Sequence, residues 1–261
     1  MIKKVILLGR KKGAAQALKW LVDNKINVPF VVADQNENKP ECLGVTAKKL
    51  AIPTYFDDQV IYKMIENRDK SLENIDLIIS YLHPRKIKEP LFKLGGLGCI
   101  NFHPAPLPEY KSRAGYNTAI LDQKDNFGVS AHFINSEKFD SGPIIQVLRF
   151  PIDPLTETVL ALEKKSGEKL FELFIEIMKL FMEGRLIETK ENHGGLYLTA
   201  KDLENLKIVN PDKDSAEDID RKIRAFFFPP HHGAKIILAG KEYTLLNKEM
   251  LEYLATLINK T

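Results

Sequence analysis

Two polar residues near the middle of the chain have the side chains that proton transfer and charge stabilisation require. Asn101 and His103 stand two positions apart at the end of the β-rich run Leu97–Phe102. Side chains alternate along a strand, so both residues are expected to project to the same side, near the end of the strand. An amide can donate to a developing oxyanion, and an imidazole can accept a proton near neutral pH. A single histidine is more often structural, but this pair at the start of a proline-rich loop favours a catalytic site.

A carboxylate partner for this pair is expected at Asp140. It precedes Ser141–Pro143, a tight-turn sequence between two predicted strands. An aspartate in such a turn is by itself more often a turn former than a catalyst. Together with Asn101 and His103 it can orient the imidazole and help to move protons. Cys99 lies deeper on the same predicted face and is expected to be a packed small hydrophobic residue rather than a nucleophile.

The elements that must position these residues follow from the pattern of apolar runs. Short β-rich runs alternate with helical stretches in the first half of the chain, which favours an α/β fold with a doubly wound, Rossmann-like parallel sheet. Residues 1–188 are expected to form the main domain and residues 189–261 a smaller C-terminal unit. The predicted strands are Lys4–Leu8, Val28–Ala33, Ile75–Tyr81, Leu97–Phe102, Phe127–Asn135 and Pro143–Phe150, and the predicted helices are Gly13–Asp23 and Thr156–Phe181.

The composition excludes several classes of protein. The 261 residues include 38 Lys+Arg and 35 Asp+Glu, a net charge of +3, and 44% are hydrophobic, which is typical of a folded globular chain. No apolar run is long enough to span a membrane, and the near-neutral charge removes the electrostatic case for strong nucleic-acid binding. Two cysteines form neither a disulfide framework nor a metal-binding spacing, so a reducing cytoplasm and no metal are expected.

Three further segments are candidates for ligand contacts, each with a structural alternative. The turn Gly9–Gly13, which contains Arg10, opens a helix and is either an anion site or an ordinary strand-to-helix turn. Arg85 and Lys86 are expected at the start of a helix, either as partners of an anion or on a solvated face. The aromatic run Phe226–Phe228 could stack on a nucleobase, pack in the core or form a subunit interface.

The run from Asn101 to Gly142 resembles the formyltransferase family that uses 10-formyltetrahydrofolate. That family is similar in carrying Asn-x-His on a strand, a Leu-Pro loop and an aspartate in an Asp-x-Gly turn, and here the loop is Leu107–Pro108. The resemblance covers most of residues 1–185. The segments Asn101–Glu109, Ala114–Ile120 and Arg224–Pro230 look like the sugar N-formyltransferases, which act on nucleotide-linked amino sugars. Ser112 stands where many members have glycine, so a different backbone path is expected there.

The resemblance implies an enzyme with three groups of site residues and no metal. The catalytic residues would be Asn101, His103 and Asp140. The folate co-substrate would be held largely through backbone groups, and His83 is expected to pack the loop rather than to act as a catalyst. The implied cofactor-binding residues are Tyr81, Leu82, His83, Glu137, Lys138 and Asp140, and the implied substrate-binding residues are Arg10, Arg85, Lys86, Tyr116 and Phe228.

The resemblance also implies a specific reaction. A formyl group would move from 10-formyltetrahydrofolate to the amino group of dTDP-4-amino-4,6-dideoxyglucose, for O-antigen or other surface polysaccharide of the lipopolysaccharide type. The enzyme would be a cytoplasmic homodimer, with no nucleic-acid or membrane partner.

Three alternatives stay open. One is a methionyl-tRNA formyltransferase, against which residues 190–261 weigh with 11 basic and 11 acidic residues. Another is a glycinamide ribonucleotide formyltransferase, whose family members usually end near the long helix. The last is a non-catalytic protein that binds a nucleotide sugar or a folate.

Overall fold

The computed structural model describes residues 2–37 and 40–258, and its central feature is a seven-stranded sheet. The strands are β1 (Val5–Gly9), β2 (Val31–Ala33), β3 (Thr54–Tyr55), β4 (Leu77–Tyr81), β5 (Cys99–His103), β6 (Tyr110–Lys111), β7 (Asn126–Phe133), β8 (Ile144–Pro151), β9 (Leu196–Tyr197), β10 (Lys235–Leu238) and β11 (Lys241–Thr244). The helices are α1 (Lys11–Asp23), α2 (Leu43–Lys49), α3 (Gln59–Glu66), α4 (Gly115–Leu121), α5 (Val159–Met182), α6 (Ala200–Leu206), α7 (Ala216–Phe226) and α8 (Lys248–Ile258).

The order of the large sheet is β3-β2-β1-β4-β5-β7-β8. Strands β1 to β5 pair in parallel, and β7 runs antiparallel to β5. The carboxyl ends of β1, β4 and β5 therefore lie along one edge, where ligands bind in open α/β sheets. Helix α5 covers one face through Phe174, which packs on Tyr81 and Phe102. The other face carries a core cluster that contains Ile78 and Ile61 of α3. The α/β, mostly parallel doubly wound fold is thus confirmed.

Most predicted elements are present, with shifted ends. Helix α5 begins at Val159 rather than at Thr156, and β2 covers only the last three residues of its predicted range. The expected helix at Arg85 and Lys86 is wrong, because the chain is irregular there and forms only a short 3-10 turn at Leu91–Lys93. Pro84 and Pro90 explain this, since proline lacks the amide hydrogen of a helix and disfavours helical geometry in the residue before it.

By its internal contacts the chain forms two compact units, each assembled from separate segments. The first contains the chain up to Lys111, Gly128–Leu148 and Ser166–Gly195. The second contains Ser112–Phe127, Arg149–Lys165 and the chain from Leu196 onward. The expected domain boundary between residues 188 and 189 stays a prediction.

The second unit has a core of its own. Val209, Ile223 and Phe227 pack with Ala234 and Met250, and β10 pairs with β11 in an antiparallel hairpin. Phe226 is also buried, so two of the three residues of the aromatic run pack in the core. Within the described ranges, no helix is both long and apolar enough to cross a membrane.

Candidate active site

Asn101 is held in one amide orientation by its neighbours in the sheet. Ser80 of β4 donates its hydroxyl to Asn101 Oδ1 over 2.7 Å. The amide nitrogen Nδ2 in turn lies 3.0 Å from Nε2 of His132 and 3.2 Å from Oδ1 of Asp140. Both hydrogens of this amide are therefore directed at polar groups at the end of the strand, where an oxyanion could compete for them.

His103 lies on the same side of β5, as its spacing from Asn101 predicts, and is almost completely buried. Its Nε2 atom lies 2.9 Å from the carbonyl oxygen of Tyr110. A carbonyl only accepts hydrogen bonds, so Nε2 carries a hydrogen and the other ring nitrogen, Nδ1, is the one left for chemistry. Nδ1 lies 3.4 Å from Oδ1 of Asp140. The sequence-predicted triplet Asn101, His103 and Asp140 therefore meets at one carboxylate oxygen.

A fourth polar residue of this group, His132, was not predicted from the sequence. It stands directly opposite Asn101 in the β5–β7 pairing, and its Nε2 lies 3.3 Å from Oδ1 of Asp140. Its Nδ1 donates to the carbonyl of Phe133 over 2.9 Å. The available signal was a histidine within the mostly apolar run 127–134, eight residues before Asp140. That signal becomes specific only when the strand register is known.

Where the side chains of Asn101, His103, His132 and Asp140 face one another, acceptor atoms outnumber donor hydrogens. Asn101 supplies one hydrogen to His132 and one to Asp140. In the neutral imidazole of His103, Nδ1 has a lone pair that faces the carboxylate of Asp140. Burial lowers the pKa of His103, and the charge of Asp140 and the Tyr110 carbonyl oppose that shift only in part. His103 is therefore a neutral base with a carboxylate placed to stabilise its protonated form.

The loops around the site are fixed by short hydrogen bonds and by a glycine. The buried Ser130 hydroxyl accepts from the Leu107 amide and donates to the Ala105 carbonyl, each over 2.8 Å, so β7 anchors the proline-rich loop. In the Asp140 turn, a Cβ atom on Gly142 would lie only 1.9 Å from the Phe133 carbonyl oxygen. Glycine at 142 therefore allows the turn to approach β7 closely.

The residues expected to hold the folate lie on two loops of the first unit. Leu82 has a φ of +55°, and its carbonyl accepts a hydrogen bond from Arg10 Nε over 2.9 Å. Glu137 and Lys138 lie in the loop before Asp140, where the Lys138 carbonyl accepts from the Ser141 hydroxyl. The Tyr81 ring is buried against Phe102 and Phe174, so its side chain is closed to a ligand contact. The role of each residue stays a prediction.

His83 is buried in a small charged cluster. Its Nε2 lies 3.5 Å from Oδ2 of Asp58, and Arg85 donates to Oδ1 of Asp58 over 3.0 Å. Burial alone would raise the pKa of Asp58, but the hydrogen bonds and charges of His83 and Arg85 outweigh burial and lower it to about 2. Arg85 also pairs with the exposed Asp57 and is itself 42% exposed, so the cluster orders the loop and leaves part of the guanidinium open.

The other expected substrate residues are placed as follows. The Lys86 ammonium lies 5.5 Å from the centre of the Phe139 ring, a cation–π contact within the first unit. In the second unit, Tyr116 of α4 packs near Phe127, and Phe228 stacks on His231 at the end of α7. Helices α4 and α7 are neighbours, since Asn117 Nδ2 donates to the Ala225 carbonyl over 2.6 Å.

The Ser112 position has a backbone that favours glycine. Its φ is +67°, in the left-handed region, and Ala114 follows with a φ of +68°. Serine takes this glycine-like conformation at a cost of about 1 kcal/mol. The expected change of backbone path relative to the family stays a prediction. Within the described part of the chain, no group of three or more His, Cys, Asp or Glu side chains is arranged to hold a metal ion.

A model of the formyl transferase family matches residues 3–178 of this chain. Among curated proteins, the methionyl-tRNA formyltransferase of Thermotoga neapolitana is 29% identical over 255 residues, which cover 93% of this chain and 78% of that protein.

Two solved structures have a similar fold along nearly the whole chain. One is a 4-N formyltransferase from Francisella tularensis, with a TM-score of 0.74 and 18% identity, covering 94% of this chain and 97% of that one. The other is an N-formyltransferase from Helicobacter canadensis in complex with folinic acid and dTDP-3-aminofucose, with a TM-score of 0.72 and 21% identity, covering 92% and 85%. At this level of identity the similarity establishes the fold.

Proposed function

This chain belongs to the formyl transferase family, and from that premise we propose that it moves a formyl group from 10-formyltetrahydrofolate to the amino group of a nucleotide-linked deoxy-amino sugar. The proposed acceptor is dTDP-4-amino-4,6-dideoxyglucose, and the product would enter surface polysaccharide such as the O-antigen of lipopolysaccharide. The observation that carries the proposal is that Asn101 Nδ2 and His103 Nδ1 lie 3.2 Å and 3.4 Å from the same oxygen of Asp140, at the carboxyl end of β5.

Two further observations favour a sugar acceptor. The similarity to the Francisella 4-N formyltransferase extends over 94% of this chain, and the Helicobacter relative was crystallised with a folate and a dTDP-linked amino sugar. The net charge of +3 on 261 residues is small for a protein that would have to neutralise the phosphates of a tRNA.

The reaction begins with attack of the uncharged amine on the formyl carbon. A carbon–nitrogen bond forms, and the formyl oxygen takes the electron pair of the carbonyl double bond. Asn101 Nδ2 can donate to this oxyanion in place of one of its bonds to Asp140 or His132. An aligned donor of this kind contributes about 3 kcal/mol in a water-excluded site.

The second half of the reaction is a proton transfer. The attacking nitrogen has become positively charged, and Nδ1 of His103 accepts one of its protons beside the carboxylate of Asp140. The same proton then moves to the folate nitrogen as its bond to the formyl carbon breaks. The products are the formamide and tetrahydrofolate, and atoms and charge balance without a covalent enzyme intermediate.

The binding residues belong to the same proposal. Backbone groups at Leu82 and in the loop of Glu137 and Lys138 would hold the folate. Arg10, Arg85 and Lys86 supply positive charge for a pyrophosphate, and Tyr116 and Phe228 supply aromatic surface for a nucleotide. A cytoplasmic location and a homodimer belong to the same proposal.

The experiment is incubation with 10-formyltetrahydrofolate and a panel of dTDP- and UDP-linked amino sugars, followed by mass spectrometry. We expect one acceptor to gain the mass of one carbonyl unit. Failure of every sugar, with formyl transfer to another acceptor, would contradict the sugar assignment and retain the reaction. No transfer to any acceptor, with a folate or a nucleotide sugar still bound, would favour a non-catalytic binding protein.

A second candidate acceptor is initiator methionyl-tRNA, which the curated relatives favour by name at 29% identity. The same panel should therefore include this tRNA and glycinamide ribonucleotide. Formylation of the tRNA, with a rate that falls steeply as salt is raised, would identify the protein as a tRNA enzyme, because phosphate contacts release counterions.

A further inference from the structure

Asn192 lies ten residues after the end of α5, and its buried side chain holds the turn that carries Asp140. Its Nδ2 donates to the Asp140 carbonyl over 3.0 Å and to the Gly142 carbonyl over 2.9 Å. The side-chain oxygen Oδ1 is buried and has no hydrogen-bond partner among the described residues. The hydrogen bonds of this side chain to the turn therefore depend on the two hydrogens of Nδ2.

The backbone carbonyl of Asn192 contacts the segment that orients His103. Lys111 donates its ammonium group to the Asn192 carbonyl over 3.1 Å. Lys111 directly follows Tyr110, whose carbonyl accepts the hydrogen bond from His103 Nε2. Asn192 thus connects the loop that orients His103 with the turn that presents Asp140.

The segment 190–195, which we call the strap, is fastened on both sides of Asn192. Lys190 and Ile144 exchange two backbone hydrogen bonds of 2.8 Å. At the other end, Gly195 has a φ of +85°, and a Cβ atom there would lie 1.7 Å from the Pro108 carbonyl oxygen. The strap belongs to the same compact unit as the catalytic residues, although its sequence follows the long helix.

Asp140 needs such support because its backbone is strained. Its φ is +48°, a conformation that costs a non-glycine residue about 1 kcal/mol and persists only where the surroundings hold it. We propose that Asn192 is a positioning residue, which holds this turn from the strap so that Asp140 Oδ1 stays within reach of His103 and His132. Its effect on catalysis rests on the proposed formyl transfer.

The test uses the full chain with two substitutions at this position. Asn192→Asp keeps the size and Oδ1 but removes both hydrogens of Nδ2, and Asn192→Ala removes the whole amide. We expect kcat to fall at least about tenfold in both, with the KM for the nucleotide sugar changed less than about threefold, because Arg10, Arg85 and Lys86 lie outside the Asp140 turn. The matched control is Asn24→Ala, since Asn24 Nδ2 donates to the Trp20 carbonyl far from the site, and it should keep both values.

A second readout needs no substrate. The imidazole protons of His103 can be followed by NMR as the pH is lowered. His103 and His132 both face Oδ1 of Asp140, and Asn101 Nδ2 lies 3.2 Å from the same oxygen. We expect the titration midpoint of His103 to move in both Asn192 variants and not in Asn24→Ala.

The outcomes separate the two proposals. Unchanged kcat and an unchanged titration midpoint in folded Asn192 variants would overturn the positioning role. A loss of activity that parallels a loss of thermal stability, with the titration midpoint unchanged, would overturn it as well. If the unmodified protein formylates no acceptor but the titrations move as expected, the proposed function fails and the positioning role stands.

Discussion

His132 and Asn101 face each other across the antiparallel β5–β7 pair, with His132 Nε2 3.0 Å from Asn101 Nδ2. Because Nδ1 of His132 donates to the Phe133 carbonyl, Nε2 of the neutral ring accepts one hydrogen of the Asn101 amide. The catalytic amide is thus held between Ser80 on one strand and His132 on the next. Any change at His132 should act through the orientation of Asn101.

This relationship predicts a rate effect at His132. We expect His132→Ala to lower kcat about tenfold to a hundredfold, because one hydrogen of the Asn101 amide loses its acceptor and the amide can rotate away from the oxyanion. Steady-state kinetics with the accepted sugar would measure it. A variant that kept the normal kcat would show that Ser80 alone orients the amide.

The central prediction concerns the proton-transfer pair. We expect His103→Ala and Asp140→Ala each to reduce turnover at least about a hundredfold, because each removes the base or the charge that stabilises its protonated form. Circular dichroism should show that both fold. Asp23→Ala is the control, since this aspartate is exposed at the end of α1. Retained activity in both site variants would remove the mechanism.

Buried His103 should also make stability depend on pH. Its pKa is lowered by burial, so in the unfolded chain it takes up a proton at a higher pH than in the folded protein. The contribution of His103 to the free energy of unfolding should therefore be largest above the ordinary histidine pKa of about 6.5. It should decline as the pH falls below that value. Urea titrations at pH 7.5 and 5.5 would measure the decline, and His103→Asn should show a smaller one. Equal declines in the two proteins would assign the effect to other groups.

Arg85 offers a test of the substrate site. We expect Arg85→Ala to raise the KM for the nucleotide sugar about tenfold, the loss of one charge-assisted hydrogen bond, and to spare the folate affinity. It should also lower thermal stability, because Asp58 loses a partner. Asp57→Ala is the control, since it removes an exposed carboxylate and keeps the cation. An unaltered KM for the sugar would discard Arg85 as a pyrophosphate ligand.

Ser112 predicts a stabilising substitution. Glycine takes the left-handed conformation without the Cβ clash, so Ser112→Gly should raise the free energy of unfolding by about 0.5 kcal/mol after the greater flexibility of unfolded glycine is subtracted. Ser71→Gly, at a residue whose φ is negative, should have the opposite sign. Thermal or urea unfolding would compare them. A destabilised Ser112→Gly protein would mean that the serine side chain contributes contacts worth more than the strain.

Local sequence patterns were sufficient for much of the site. The alternation of side chains along a strand places Asn101 and His103 on one side. The residues after Asp140 predict a tight turn between two strands, with the carboxylate at its start. The apolar runs identify the central strands, because strands covered on both faces must be apolar. The helix expected at Arg85 is wrong. The prolines on either side of this charged segment lack amide hydrogens and disfavour helical geometry in the residues before them.

Other features were decided only by the tertiary structure. His132 meets Asn101 because of the β5–β7 register, and Asn192 reaches the Asp140 turn from about fifty residues downstream. Arg85 is directed at Asp58 by the packing of two distant loops. Each of these contacts joins residues far apart in the chain, and their free energy depends on the folded arrangement as a whole. A local pattern can therefore determine which side chains are available, while the packing of the sheet and strap determines which of them meet.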